Sequence, residues 1–559
     1  MNTPAAIPDR ERSFPRLTDA QIATFEEHGA RRTLAAASLL FREGESTDGF
    51  FIVLHGSMEA VNGYGSDAGH AVGVFGPGEF LGELGVLEGQ VPVLTAVALE
   101  PTEVLEVPRA ELAAILTGDP DLGDLILRTY LNRRDVLIDH GAGFRIIGSE
   151  HLPDTRRLLA FAARNRLPHR LIDPDRDPGA EALLRRTAVA AGQTPVVVWG
   201  RDTVLRNPSN ARLAKAVGLH SATRDGGCDL LVVGAGPAGL AAAVYGASEG
   251  LSTAVLDRTA AGGQASTSSR IENYLGFPAG ISGGRLAERA IIQARRFGAR
   301  ISVPATATDL EQREDGYYVV RLEDGGEVVA HAVVVATGAR YRRLDVPGVR
   351  ELEGLGIHYA ATAWEARQCE ARPIAVVGGG NSAGQAAVFL AGTASRVYLV
   401  VRAHELGAGM SRYLVDRVEA DPRITVLLHS VVRAVEGRDE LEAAVIEDRR
   451  TGECGTVPIA AMFSFIGAQP GTDWLAGRLA LDEDGAVLTG RDVGSVLEPG
   501  DWRHLDRDPF VLETSRPGVF AVGDARSGSI KRVASAAGEG AMSVRLVHEY
   551  LREVGASVA

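Results

Sequence analysis

The chain has 559 residues, 45% apolar and 23% charged, which suits three or four domains of about 150 residues and excludes a disordered, collagenous or coiled-coil protein. Lys+Arg number 58 against 72 Asp+Glu, a net charge of −14 with no basic stripe, so no nucleic-acid partner is expected. Cys228, Cys369 and Cys454 lie too far apart for a CxxC, a disulfide framework or a local cysteine metal site, a usage that suits a reducing cytoplasm.

Residues 1–140 read as a β-rich unit closed by a helix. A buried strand is expected over 50–54, glycine turns at Gly44, Gly56, Gly76, Gly78 and Gly89, and one helix over 112–131. Residues 143–219 read as β-α-β-α-β, with strands at 144–147, 170–172 and 196–199 and helices near 154–166 and 181–190. Residues 220–227 look like a linker. From Cys228 onward strands and helices alternate, the pattern of open α/β sheets. Two uncharged windows, 230–248 and 373–395, are long enough to span a bilayer. Each breaks into an apolar run, a glycine cluster and a small-residue helix, so no membrane insertion is expected. The opening MNTPAAIPDRERSF has no apolar secretory core. No metal site or catalytic triad stands out, and the 13 histidines are scattered singly.

Glycine is abundant at 66 residues, but 56 of the 58 basic residues are arginine, the exceptions being Lys215 and Lys531. That skew suggests coding bias, so position matters more than count. The first informative cluster is Leu230-Leu-Val-Val-Gly234-Ala-Gly236-Pro237-Ala238-Gly239, a strand followed by GxGxxG and a small-residue helix. Gly234 permits the tight turn, Gly236 lets a pyrophosphate approach the backbone, and Gly239 lets helix and strand pack closely. The next strand ends in Asp257, a carboxylate suited to two ribose hydroxyls.

The second cluster is Pro373-Ile-Ala-Val-Val-Gly378-Gly-Gly380-Asn381-Ser382-Ala383, again strand, turn and helix. Gly234 to Asp257 and Gly378 to Val401 are both 23 residues apart, so the ribose-carboxylate slot is apolar here and Arg402 follows it. A missing carboxylate beside an arginine favours a ribose 2′-phosphate, hence NADPH over NADH; the alternative for Arg402 is a solvated surface charge. Two nucleotide folds in one chain imply a flavin fed by a nicotinamide.

From Asp229 to about Tyr550 the residues resemble the thioredoxin reductase branch of FAD/NAD(P)-dependent pyridine nucleotide-disulfide oxidoreductases. The matching stretches are Gly262-Gly263-Gln264, Ile271-Glu-Asn273-Tyr-Leu-Gly-Phe-Pro278, Ala336-Thr337-Gly338, Phe465-Ile-Gly467-Ala-Gln-Pro470, Gly518-Val-Phe-Ala-Val-Gly523-Asp524 and Lys531-Arg532-Val533-Ala-Ser-Ala-Ala-Gly538. The resemblance implies a multidomain protein with two three-layer α/β domains. FAD would be bound by 228–345 and 466–559, and NAD(P)H by 346–465. It implies that Gln264 and Asn273 touch the flavin and Asp524 binds the ribityl chain. The backbone at Arg532–Val533 would face the flavin at a helix N-terminus, which favours negative charge on the reduced ring. Members of that branch carry Tyr-Cys-Ala-Thr-Cys just before the NADPH glycines. Here the stretch is Tyr359-Ala360-Ala361-Thr362-Ala363, so both cysteine positions are alanine, and Cys369 reads as a small core residue.

Residues 15–140 resemble a cyclic nucleotide-binding β-roll through Phe41-Arg-Glu-Gly44-Glu, Phe51-Ile-Val-Leu-His-Gly56 and Phe75-Gly-Pro-Gly78-Glu-Phe-Leu-Gly82-Glu83-Leu84-Gly. The resemblance implies that Glu83 takes a ribose hydroxyl and that the Gly82 and Leu84 backbone lines the phosphate pocket. The phosphate arginine should follow about nine residues later, as a charge-assisted partner. Gln90-Val-Pro92-Val-Leu-Thr has none, so a cyclic nucleotide site and a ligand-free interaction module both stay open. Residues 143–219 resemble a thioredoxin or glutaredoxin domain, with Pro195 where a cis-proline precedes a strand. No cysteine occurs before Cys228, so this unit does no thiol chemistry and reads as a docking or spacing element.

The expected activity is an FAD-dependent NADPH oxidoreductase without the usual dithiol. The acceptor stays open between a small molecule, a ferredoxin or flavodoxin and a thioredoxin-like protein, as does a homodimer. A non-enzymatic flavin redox sensor, regulated by a cyclic nucleotide, is the reading from another class.

Overall fold

The structure is a computed structural model describing residues 13–45, 47, 49–65, 69–88, 91–139, 141–177, 180, 194–199, 203–219, 227–268, 270–353, 355–359, 361, 363–438, 440–494, 502, 505 and 507–556. The expected helix at 181–190, all of the linker but Gly227, the side chain of Leu84, and Gly89, Ala360 and Thr362 lie outside the described residues.

Two compact units are distinguished, dividing near residue 222. The first opens with a β-roll of two antiparallel sheets. One has the strand order Ala30–Leu34, Thr102–Pro108, Gly49–His55, Phe80–Leu81; the other runs Leu39–Phe41, Thr95–Ala98, Met58–Asn62, His70–Phe75. Alternating apolar residues give the roll a core that includes Phe50, Ile52 and Phe80 on one side and Phe51, Val53 and Met58 on the other. The single helix expected over 112–131 is two, Arg109–Gly118 and Pro120–Asp139. Proline cannot donate to the preceding turn, so the first helix stops there. Asp119 then accepts the Asp121 and Leu122 amides at 3.1 and 3.0 Å and starts the second.

The rest of this unit has a sheet ordered His169–Ile172, Phe144–Ile147, Val196–Trp199, Thr203–Arg206. The first pair is parallel and the others antiparallel, and the Thr194–Pro195 peptide is cis. The fourth strand and the helix Asn210–Val217 were not expected from the sequence. Val91 and Val93 of the roll pack on the core formed by Phe144, Leu158 and Trp199.

The second unit contains two parallel-stranded α/β layers. In one, Thr253–Leu256, Cys228–Val233 and Glu327–Val335 run parallel, and Val519–Ala521 pairs in parallel with Glu327–Val335. In the other the order is Ile357–His358, Ala461–Ser464, Pro373–Val377, Arg396–Val400, Ile424–Leu427, all parallel. Strands covered on both faces read as continuous apolar runs, which is why Cys228–Val233 is buried at every position. Among the described residues no helix is long and apolar enough to cross a membrane, and no cluster of three His, Cys, Asp or Glu could hold a metal.

Candidate functional site: two glycine turns

Both sites are built where a parallel strand ends and its helix begins. After Cys228–Val233, Gly234 takes φ +108°, and its amide donates to Leu256 O at 2.7 Å. A Cβ there would sit 2.2 Å from Ala336 O, and one on Gly239 would sit 1.8 Å from Gly234 O. Neither position can carry a side chain without moving backbone. Gly236 differs: a Cβ would meet nothing nearer than Gly263 Cα at 3.9 Å. That open face lies at the N-cap of the helix Pro237–Ser248, which has no side-chain cap. Its first amides therefore point into space that an anion can fill. By contrast, the helix Gly283–Arg296 is capped by Ser282.

The next strand, Thr253–Leu256, delivers Asp257, whose Oδ2 accepts the Ala235 amide at 2.9 Å and so sits at the mouth of the turn. Gly262 donates to Ala235 O at 2.7 Å, and Gly263 takes φ +57°, placing a second glycine loop against Gly236. The Gln264 side-chain amide donates to Ala339 O, just beyond Ala336-Thr337-Gly338. Thr337 Oγ1 is buried without a hydrogen-bond partner. Asn273 is exposed on the following loop.

The C-terminal segment returns to this turn. A Cβ on Gly540 of the helix Val533–Glu553 would lie 2.0 Å from Ala238 O, and one on Gly523 would lie 3.1 Å from Ala238 Cβ. Asp524 is partly buried; burial raises its carboxyl above the ordinary value, opposed by Lys531 and reinforced by Glu539. Lys531 and Arg532 are exposed at the uncapped start of that helix, with Val533 its first residue. Two residues not read from the sequence join the site. Glu539 accepts the Gly523 amide at 2.7 Å and pairs with Arg526 at 2.6 Å, fixing the Gly523–Asp524 turn. Tyr341 has its hydroxyl pushed up by burial and by the charge of Asp524.

The second turn repeats the first. Gly378 takes φ +144°, and its amide donates to Val400 O at 3.0 Å; a Cβ would sit 2.4 Å from Phe465 O. Gly380 is the N-cap of Asn381–Leu390, again without a side-chain cap, and a Cβ there would meet only Gly409 O at 3.8 Å. Asn381 Oδ1 accepts the Ser411 amide at 2.7 Å, which anchors the neighbouring loop, and Ala383 is fully buried where the helix faces Gly378. Ser382 is exposed in the first turn of this helix. Ser464 Oγ and Ser411 Oγ are buried without partners. Beyond Arg396–Val400, Val401 is buried and Arg402 is exposed.

In the β-roll, Gly82 takes φ +92° and Glu83 is buried, with its Oε1 held by Arg133 Nη1 at 2.9 Å. Arg133 lies 50 residues downstream on the helix Pro120–Asp139 and was not expected from the sequence.

This doubled dinucleotide architecture agrees with the comparisons. A family model described as pyridine nucleotide-disulphide oxidoreductase matches residues 228–540, and a cyclic nucleotide-binding domain model matches 31–119. The chain is 33% identical over 331 residues to a thioredoxin reductase of Eremothecium gossypii, covering 58% of this chain and 98% of the relative. It is 32% identical to a mitochondrial thioredoxin reductase 1 of Arabidopsis thaliana, covering 64% and 92%. The Lactococcus lactis thioredoxin reductase crystal structure, in a conformation designated FR, aligns at TM-score 0.52 and 27% identity over 58% of this chain and 99% of that one. The chain belongs to the pyridine nucleotide-disulphide oxidoreductase family and carries in addition a cyclic nucleotide-binding-type domain. The thioredoxin reductase-like family uses FAD and NADPH, and the open, uncapped turns with the orphaned Thr337 hydroxyl fit such groups.

Proposed function

We propose that the chain is an FAD-dependent NADPH oxidoreductase that reduces its acceptor without a redox dithiol. The observation that carries this reading is the pairing of two intact nucleotide turns with alanine at both relay positions, Ala360 and Ala363. The remaining cysteines offer no substitute. Cys228 and Cys369 are buried, and Cys454 is exposed in the separate antiparallel sheet of Ser430–Gly437, Leu441–Asp448 and Cys454–Pro458. Burial pushes the Cys369 thiol up to about 11, so it is not a thiolate at neutral pH.

The Gly234–Gly239 turn and the amides opening Pro237–Ser248 would hold the FAD pyrophosphate, and Asp257 would accept the adenosine ribose hydroxyls. Gly263, Gln264, Asn273 and Thr337 would flank the flavin, and Asp524, fixed through Glu539, would meet the ribityl chain. The N-terminus of Val533–Glu553 would stabilise negative charge on the ring, assisted by Lys531 and Arg532. Bound FAD supplies two-electron chemistry between NADPH and the acceptor. Gly378, Gly380 and the amides opening Asn381–Leu390 would hold the NADPH pyrophosphate, and Arg402 the ribose 2′-phosphate.

Stopped-flow reduction of the purified flavoprotein tests the reading. NADPH should bleach the flavin at least about ten times faster than NADH at low concentration, the worth of one charge-assisted contact. Equal rates would contradict the role of Arg402, and a protein that stays colourless after addition of FAD would contradict the whole reading.

A further inference from the structure

The chain passes twice between the halves assigned above to FAD and NADPH, next to a two-stranded ribbon of Ala339–Tyr341 antiparallel to Ala468–Pro470. Two short extended segments make a hinge rather than a buttress, so contacts elsewhere set how one half sits on the other. One such contact lies far from the ribbon in sequence. Arg417 Nη1 donates to Glu272 Oε2 at 3.2 Å and Oε1 at 3.4 Å, linking the helix Arg412–Ala420 of the nicotinamide-binding half to the loop that carries Asn273.

Both ends of this pair are anchored. Leu414, Val415 and Val418 bury one face of the helix and leave Arg417 on the other. The helix starts at the Ser411 amide that Asn381 holds, and a Cβ on Gly409 would lie 3.0 Å from Gly379 O, so it moves with the second turn. On the flavin side, Ile271 and Ile281 exchange backbone hydrogen bonds at 2.7 and 3.0 Å, and Arg270 Nε donates to Ala279 O at 3.0 Å, closing the loop. Arg270 Nε also lies 3.6 Å from Glu272, so one carboxylate, with its side chain 28% exposed, stands between two guanidiniums.

Ala360 and Ala363 belong to the same half as the second turn. A dithiol at those positions would have to reach the flavin as well, whereas alanines leave this half with the nicotinamide alone to present. One placement then suffices. On the function proposed above, we infer that Arg417 and Glu272 are positioning residues that hold the nicotinamide-binding half against the flavin loop in the placement used for flavin reduction.

Stopped-flow reduction of the FAD-loaded, full-length chain by NADPH is the first test. An exposed ion pair biases a two-state placement by about two- to fivefold, so Arg417→Glu should lower the limiting rate by that factor. The NADPH concentration giving half that rate should not change. Glu272→Arg/Arg417→Glu should restore the rate, and salt at about 1 M should erase the difference between Arg417→Glu and the unmodified chain.

The second test reads placement without turnover. In a Cys454→Ser background, where the remaining cysteines are buried, Glu272→Cys/Arg417→Cys should be joined by a short bismaleimide, as peptide mass spectrometry reports. NADPH should then reduce the joined protein as fast as the unjoined one. An unchanged limiting rate in Arg417→Glu, no recovery in the reversed pair, no cross-link, or a cross-linked protein that NADPH no longer reduces would each overturn the proposal. If NADPH fails to reduce the unmodified flavoprotein, the proposed function falls and the positioning role with it. If it reduces that protein and the variants alike, the positioning role falls alone.

Discussion

The two glycine turns of the second unit are nearly the same object built twice. Gly234 and Gly378 both adopt positive φ, both donate to the last carbonyl of the next strand, and both lie against a backbone carbonyl that forbids a side chain. Both lead into a helix with no side-chain cap. They differ at the end of the next strand, where one has Asp257 tied to Ala235 and the other has buried Val401; an exposed arginine, Arg258 or Arg402, follows in both. The shared part suits any pyrophosphate, and on the proposed reading the carboxylate makes the difference: Asp257 would take free ribose hydroxyls, whereas Val401 would leave room for a 2′-phosphate beside Arg402. The second helix faces its turn with the buried Ala383 where the first has Gly239, a position at which a Cβ would sit 1.8 Å from Gly234 O, so the first helix packs closer to its turn by one methyl group.

Removing one turn at a time gives the largest contrast. Gly234→Ala combines backbone strain with a Cβ 2.2 Å from Ala336 O, and should destabilise the chain by more than about 3 kcal/mol and yield protein without flavin. Gly378→Ala, with its Cβ 2.4 Å from Phe465 O, should retain yellow colour and lose reduction by NADPH; absorption spectra and stopped-flow traces separate the two. Next in size is the exchange of the strand ends. Val401→Asp gives the second turn the Asp257-Arg258 ending of the first and should raise KM for NADPH by about 10–100-fold, equivalent to ~1.4–2.7 kcal/mol, while lowering that for NADH. Unchanged preference would remove the ribose argument.

A smaller effect belongs to the flavin side alone. Burial raises the Asp524 carboxyl, so the folded, FAD-free chain holds that proton more tightly than the unfolded chain does. The group costs nothing while protonated in both states, and its cost grows as pH rises from the ordinary carboxylate range through the raised value. Asp524→Asn should therefore raise the Tm of the FAD-free protein at pH 7, with the gain fading toward pH 4, while weakening FAD retention. Calorimetric melts across that range check the sign. The smallest effect concerns thiols. Iodoacetamide should label Cys454 in the native protein and leave Cys228 and Cys369 unlabelled, and Cys369→Ser should not change NADPH oxidation; mass spectrometry and steady-state rates report both.

The turns were legible in the sequence because their determinants are local. A glycine forced to positive φ, an apolar strand before it and a small-residue helix after it fall within a dozen residues or so, and the strand-end residue follows at fixed spacing. What the sequence hid depends on packing between distant segments. Glu539 reaches Gly523 across 16 residues and Arg133 reaches Glu83 across 50, and no local pattern marks either glutamate or arginine as a partner. The break at Asp119–Pro120 was legible in principle, since proline ends a helix, but the apolar spacing on both sides read as one continuous face. The short strand Thr203–Arg206 has no buried position to give it a two-residue period.

The absence of a dithiol is tested most directly by counting electrons. Anaerobic titration of the FAD-loaded protein with dithionite should bleach the flavin completely at about two electrons per FAD, with no further uptake, if the flavin is the sole two-electron centre as proposed. Uptake of about four electrons per FAD, as a flavin coupled to a disulfide requires, would contradict the account.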